Sequence, residues 1–120
     1  MDLVNGRMMI GGIPVDDIVD LAGAPVYVYD TAVMARQVQR LRSAFTGAQL
    51  RIMYACKALT NINVLKVMKS LGTGLDTVSI QEVELGLHAG FAPEEILYTP
   101  NMVSFEELRA AVAYGVHINI

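Results

Sequence analysis

From about residue 50 onward, short apolar runs alternate with stretches in which apolar residues recur every three or four positions. The runs are Ile52 to Cys56, Gly74 to Val78, Ile96 to Tyr98 and one beginning at Val116. They are continuous rather than alternating, which predicts strands of a parallel sheet covered by helices. The first is read over about 50–56. The intervening periodicity predicts three helices. One spans about 61–70, with Val64, Leu65, Met68 and Leu71 on one stripe, and Gly72 stands where a left-handed C-terminal cap is wanted. The second opens at Ser79 and stops at Gly90. The third opens at Ser104 and stops at Gly115, with Phe105, Leu108 and Val112 inward. Ser79-x-x-Glu82 and Ser104-x-x-Glu107 both read as capping boxes, in which each side chain satisfies a free amide of the first turn.

The first half is less regular. Residues 8–13 read as a short strand with a glycine bend, and Pro14 to Leu21 as a short helix with Val15, Ile18 and Leu21 on one face. Gly23-Ala24-Pro25 is a turn, since Pro25 restricts the residue before it. Val26-Tyr27-Val28-Tyr29 is β-branched and aromatic, hence a strand. A helix near 31–46 follows, capped by Thr31, with Met34, Val38, Leu41 and Phe45 at helical spacing.

The order from residue 50 is therefore β-α-β-α-β-α-β. With right-handed crossovers and short loops it predicts an α/β fold, either a doubly wound sheet or the first part of a (β/α)8 barrel. No glycine-rich phosphate loop follows the first strand, which weakens the doubly wound option.

Composition adds mostly exclusions. The chain has 120 residues, 53% hydrophobic and 18% charged, with a net charge of -3. That length suits one small domain. No basic patch suggests a nucleic-acid partner. No segment approaches the ~18 uninterrupted apolar residues of a membrane span, so no membrane association is expected. The first residues lack the apolar core and cleavage site of a signal peptide. Cys56 is the single cysteine, which excludes an internal disulfide and offers no metal cluster. A cytoplasmic protein is expected. The sequence closes on Gly115 to Ile120, a strand just beginning, whose apolar edge would be left open. This reads as a piece of a longer protein.

In either architecture chemistry gathers at the C-terminal ends of the parallel strands. Lys57 ends the first, Asp76 lies near the end of the second, and Thr99, Pro100 and Asn101 follow the third. An ammonium at the end of a buried strand is costly unless paired, neutralised or chemically used. A desolvated amine is also a nucleophile, suited to condensing with a carbonyl. The alternative is a lysine that snorkels outward. If Lys57 points inward, the small Ala55 leaves room for a flat ligand, and Asp76 could pair with the amine. Asp76 could equally hold a turn or cap the next helix. By parity Cys56 faces the helices and serves packing. His88 lies late in a helix, where a surface role suits the helix dipole. His117 could face either way. Tyr27, Tyr29 and Tyr54 read as core or interface residues. Ser79 is explained by its cap, although a helix N-terminus can also face a ligand.

Four segments then stand in one recognisable order: Pro25-Val-Tyr-Val-Tyr-Asp30, Tyr54-Ala-Cys-Lys-Ala58, Gly72-Thr-Gly-Leu-Asp-Thr-Val-Ser79 and Gly90-Phe-Ala-Pro-Glu-Glu-Ile-Leu-Tyr98. Together they closely resemble the N-terminal part of diaminopimelate decarboxylases, fold-type III pyridoxal-phosphate enzymes related to ornithine and arginine decarboxylases and, more distantly, alanine racemase. The resemblance implies pyridoxal 5'-phosphate as cofactor, held covalently by Lys57, which on release would serve in proton transfer. It implies cofactor contacts for Asp76, matching the family's aspartate near the lysine, and for Ala55, matching a small residue lining the cofactor. The implied architecture is the first part of a (β/α)8 barrel of the alanine racemase-like type over residues 25–120, with residues 1–24 belonging to a second β domain. The implied reaction of the parent enzyme is decarboxylation of meso-2,6-diaminopimelate to L-lysine and CO2, in a homodimer acting on a small amino acid. An ornithine-, arginine- or carboxynorspermidine-type decarboxylase is the alternative within the fold, and a noncatalytic half-barrel binding protein the alternative outside it. The family's stacking histidine, glycine-rich phosphate site, pyridine-facing glutamate and later cysteine loop would all lie beyond Ile120. Many relatives carry Gly-Asn and a lysine after the tyrosine at position 98, whereas this chain reads Thr99-Pro-Asn-Met-Val-Ser104, so Asn101 takes no role from the resemblance.

Overall fold

The computed structural model describes residues 1–119. The strand edge expected at Ile120 lies outside them. The chain forms two compact units, Met1–Arg40 and Leu41–Ile120.

The first unit begins with an antiparallel meander of β1 (Asp2–Val4), β2 (Arg7–Ile10) and β3 (Ile13–Pro14). Val4 pairs with Arg7 and Ile10 with Ile13, so each connection is a two-residue hairpin. Asn5 and Gly6 have φ of 50° and 78°, and Gly11 and Gly12 have 58° and 80°. Paired positive φ values fit the tight turn whose twist matches the flanking strands, a conformation that only Gly and Asn adopt at little cost. The single bent strand expected at 8–13 is thus two strands with a hairpin between them. α1 (Val15–Ala22) follows, with Val15 and Ile18 half-buried and Leu21 exposed. Val26 to Tyr29, expected to be a strand, joins no ladder among the described residues. β-propensity favours extension, but a strand exists only with a partner. α2 (Thr31–Ala44) is capped by Asp30 rather than Thr31. Asp30 Oδ1 accepts hydrogen bonds from the amides of Ala32 (2.9 Å) and Val33 (3.3 Å).

The second unit is a parallel sheet of β4 (Met53–Ala55), β5 (Gly74–Thr77), β6 (Ile96–Tyr98) and β7 (His117–Ile118), in that spatial order. Its crossovers carry α3 (Ile62–Ser70), α4 (Ile80–Ala89) and α5 (Phe105–Tyr114). The register places Ala55, Asp76, Leu97 and His117 side by side, and likewise Tyr54, Leu75 and Ile96. Side chains alternate along a strand, so these two rows occupy opposite faces.

One face is the core. Leu75, Thr77, Ile96 and Tyr98 are buried there with Cys56, Leu65, Val83 and Ala111. Each fully buried aliphatic side chain contributes roughly 1.5–3 kcal/mol. α4 approaches the sheet closely because residue 86 is glycine. A Cβ there would meet Leu75 Cδ2, and Ile96 Cδ1 at 3.2 Å. The other face is half-buried at Met53, Ala55, Asp76, Leu97 and Thr99, and exposed at His117.

The helix ends follow their sequence signals. Gly72, Gly90 and Gly115 have φ of 71°, 98° and 73°. Ser104 and Glu107 form the complete reciprocal cap, with Ser104 Oγ accepting from the Glu107 amide (3.2 Å) and Glu107 Oε2 from the Ser104 amide (2.8 Å). At α4 the reciprocity slips by one residue. Ser79 Oγ accepts from the Glu82 amide (3.2 Å), but Glu82 Oε2 accepts from Val78 (2.8 Å). At the C-terminus of α3, Arg42 donates to the carbonyls of Leu71 (2.7 Å) and Gly72 (2.8 Å), satisfying acceptors the helix leaves open. α5 corrects the expected packing. Ala111 is buried and Leu108 half-buried, while Phe105 and Val112 are exposed. No described helix is long and apolar enough to cross a membrane.

Candidate functional site

The C-terminal edge of β4–β7 collects the residues singled out from the sequence. β4 ends at Ala55, and Cys56–Ala58 form a single 3-10 turn. The turn is closed by the Leu59 amide on Cys56 O (3.1 Å) and braced by Tyr54 Oη donating to Leu59 O (3.2 Å). Asn61 then starts α3 by accepting from the Asn63 amide (2.9 Å). Lys57 therefore sits one residue past the strand, on a turn and exposed, rather than as the strand's last residue. Alternation along the strand stops at the turn, so parity does not fix its direction.

Asp76 is the third residue of β5, flanked in register by Ala55 and Leu97. On the β4 side its in-register neighbour is the small Ala55. Asp76 does not pair with Lys57, and among the described residues Lys57 has no ion-pair partner. Thr99 binds the carboxylate instead. Its Oγ1 donates to Asp76 Oδ1 at 2.7 Å, while its amide donates to Thr77 O at 2.7 Å. Thr99 thus continues the β5–β6 ladder one step beyond the strand and turns its hydroxyl to the open face. Parity predicts that face for residue 99, because Leu97 is in register with Asp76. Its place after the third strand predicts that Thr99 lies near the site; its carboxylate partner follows only from the register. Asn101 is exposed beyond it, followed by Met102 at a φ of 55°.

Behind this face Cys56, the first residue of the 3-10 turn, is fully buried in the core, where packing was expected for it. Burial pushes its thiol up to about 11, assisted by the carboxylates of Glu82 and Asp76. Tyr98 is also fully buried, and its hydroxyl has no hydrogen-bond partner among the described residues. Burial raises that phenol too, with a smaller push from Glu107. His117 stands on the Asp76 face, in register with Leu97, which resolves its direction. His88 is exposed late in α4, and Ser79 caps that helix. Tyr27 and Tyr29 are exposed, while Tyr54 packs against the core. No group of three or more metal-ligating side chains occurs among the described residues. Elsewhere, the first unit contains a cavity of about 250 Å³ lined mainly by Ile10, Ile13, Ile18 and Val28. Its carboxylate, Asp30, caps α2.

Chemically, the second unit offers a primary amine on a turn, a carboxylate with one oxygen engaged, and a small side chain between sheet and solvent. Such a set can hold a flat aldehyde, with the amine as its covalent anchor.

Comparison with known proteins gives the same direction. Residues 31–120 match the family model described as pyridoxal-dependent decarboxylase, pyridoxal binding domain. A diaminopimelate decarboxylase of Methanothermobacter thermautotrophicus is 40% identical over 117 residues, covering 96% of this chain and 27% of that protein. The chain thus spans about a quarter of the length of the curated relatives it matches. The solved diaminopimelate decarboxylase of Helicobacter pylori (I148L mutant), complexed with L-lysine, aligns with a TM-score of 0.78 at 29% identity, covering 87% of this chain and 27% of that one. The ornithine decarboxylase of Entamoeba histolytica aligns with a TM-score of 0.68 at 27% identity, covering 73% of this chain and 27% of that one.

Proposed function

The chain belongs to the pyridoxal-dependent decarboxylases, and from that premise we propose that it supplies Lys57, Asp76 and Ala55 to the cofactor site of a cytoplasmic enzyme that converts meso-2,6-diaminopimelate to L-lysine and CO2. The observation that carries this reading is the shared edge: an unpaired amine just past β4, and a carboxylate in register with Ala55 on the open sheet face. Those residues fit the aldehyde and ring of pyridoxal phosphate, because they provide a primary amine to condense with the aldehyde, a small neighbour at Ala55, and a carboxylate able to balance a protonated nitrogen. Bound, the cofactor supplies an electron sink for the electron pair left when CO2 departs. Lys57 Nζ would hold the cofactor's aldehyde carbon and, when free of it, would hold or return a proton. Asp76, with Oδ1 held by Thr99, would present its carboxylate to the same face. Ala55 keeps the face flat.

The architecture we infer for the parent is a (β/α)8 barrel of the alanine racemase-like type. The four parallel strands run in sequence order without reversal, which suits a barrel's first half. Residues 1–24, with their antiparallel meander, would belong to the second β domain, and 25–120 to the barrel. A homodimer is proposed for the parent on the family resemblance. Diaminopimelate is preferred over ornithine as substrate because the 40% identical relative bears that name. Ornithine, arginine or carboxynorspermidine is the alternative within the same chemistry.

The test is CO2 release by the full-length protein from each candidate diamino acid, with Lys57→Ala alongside. Turnover on diaminopimelate that vanishes in Lys57→Ala supports the reading. Undiminished turnover in that variant overturns it, and absence of CO2 release from every substrate favours a noncatalytic half-barrel.

A further inference from the structure

Asp76 is held by a hydroxyl rather than by the Lys57 amine. Thr99 Oγ1 lies 2.7 Å from Asp76 Oδ1, and the Thr99 amide is fixed at 2.7 Å to Thr77 O, on the residue next to Asp76. Thr99 is therefore attached to β5 twice, once through the backbone and once through the side chain. A hydroxyl has a single proton, and here it is given to one carboxylate oxygen. That contact restrains the torsion of a carboxylate carried on the open face of the sheet. Both residues are half-buried, where a hydrogen bond to a charged group is stronger than in water.

We propose that Thr99 is a positioning residue for the cofactor site, fixing the orientation of the Asp76 carboxylate on the open face of the sheet where the cofactor would lie. The inference rests on the reading of Lys57 and Asp76 given above. It adds the residue that bridges β5 and β6 at the level of the chemistry. It also gives the Thr99-Pro100-Asn101 segment a function, since the hydroxyl is what that segment presents to the site.

The test uses the full-length protein prepared without cofactor. Thr99→Val removes the hydroxyl at nearly constant shape, Thr99→Ala removes it without any possible clash, and Thr99→Ser restores it. Two quantities are read: the dissociation constant of pyridoxal phosphate from its visible absorbance, and kcat with KM for the diamino acid. A hydrogen bond to a charged group is worth about 10- to 100-fold. Thr99→Val and Thr99→Ala are expected to weaken cofactor binding or kcat by about 10-fold or more. KM should stay within about twofold, and Thr99→Ser should recover most of the loss. In an Asp76→Asn background the same Thr99 changes are expected to cost little, because the partner is already altered. Equal losses in both backgrounds, or no loss in either Thr99 variant, would overturn the proposal. Lys57→Ala separates the two levels. If it is inactive while Thr99→Ala behaves as wild type, the positioning role alone fails. If Lys57→Ala is active, the underlying reading fails as well.

Discussion

A buried thiol with a displaced pKa makes the stability of this fold sensitive to alkali in a way one substitution can isolate. Cys56 has no solvent exposure and titrates at about 11, against 9.0 for an ordinary cysteine, mainly because burial disfavours the thiolate. A raised folded pKa stabilises the fold below the unfolded value and loses that contribution as pH climbs through the folded value. The window therefore runs from 9.0 to about 11. At about pH 10.5 the unfolded thiol is almost wholly ionised and the folded one mostly protonated, so this group costs about 2 kcal/mol relative to about pH 8. With a urea dependence of about 1–3 kcal/mol per molar, the unfolding midpoint falls by about 1 M from this group alone. Tyr98 is shifted upward in the same sense, but it is present in both proteins when wild type is compared with Cys56→Ala. The measurement is the urea midpoint of each at the two pH values. Wild type is expected to lose about 2 kcal/mol more than Cys56→Ala on going alkaline. Equal losses would show that the thiol is ionised or solvated in the folded state, and would refute its burial.

Two further outcomes follow from local geometry. Gly86→Ala should destabilise the fold by about 1–3 kcal/mol despite alanine's better helix propensity, since its Cβ meets Leu75 and Ile96; a more stable variant by urea unfolding would mean that α4 can lift from the sheet. The carboxyls of Glu107 and Glu95 are held below their ordinary value, first by the amides of Ser104 and Ala92 respectively. Their stabilisation is present above 4.5 and lost as pH falls through the lower folded values, so Glu107→Gln should flatten the acid limb of a stability-against-pH curve; an unchanged limb would remove the cap from the account.

The legible parts of the fold were those with a local cause. Continuous apolar runs gave the four parallel strands, and Ser79, Ser104, Gly72, Gly90 and Gly115 marked helix ends because caps and left-handed glycines act over a single turn. Asn5-Gly6 carries an equally local hairpin signal, a pair of residues that tolerate positive φ. The remaining differences needed tertiary information. Val26 to Tyr29 has strand composition but no described partner. Asp30 and Thr31 are both good caps, and one residue of register decides between them. α5 has two apolar stripes, and the sheet takes the one with the smaller Ala111, leaving Phe105 and Val112 outside. At the site, Lys57 and Asp76 were found from strand ends. Their separation was not, because the 3-10 turn at Cys56–Ala58 interrupts the alternation on which the pairing argument relied. The Thr99 contact follows from parity once the register is known.

In the parallel sheet, spatial neighbours are also chain neighbours: each strand lies against the one a single helix away. Each of its pairings nevertheless closes a loop of about twenty residues, Ala55 to Asp76 or Asp76 to Leu97. Parallel ladders of that kind form more slowly than the hairpins of the first unit, whose partners lie one two-residue turn apart. The meander is therefore expected to form before the edge of the sheet that carries the site.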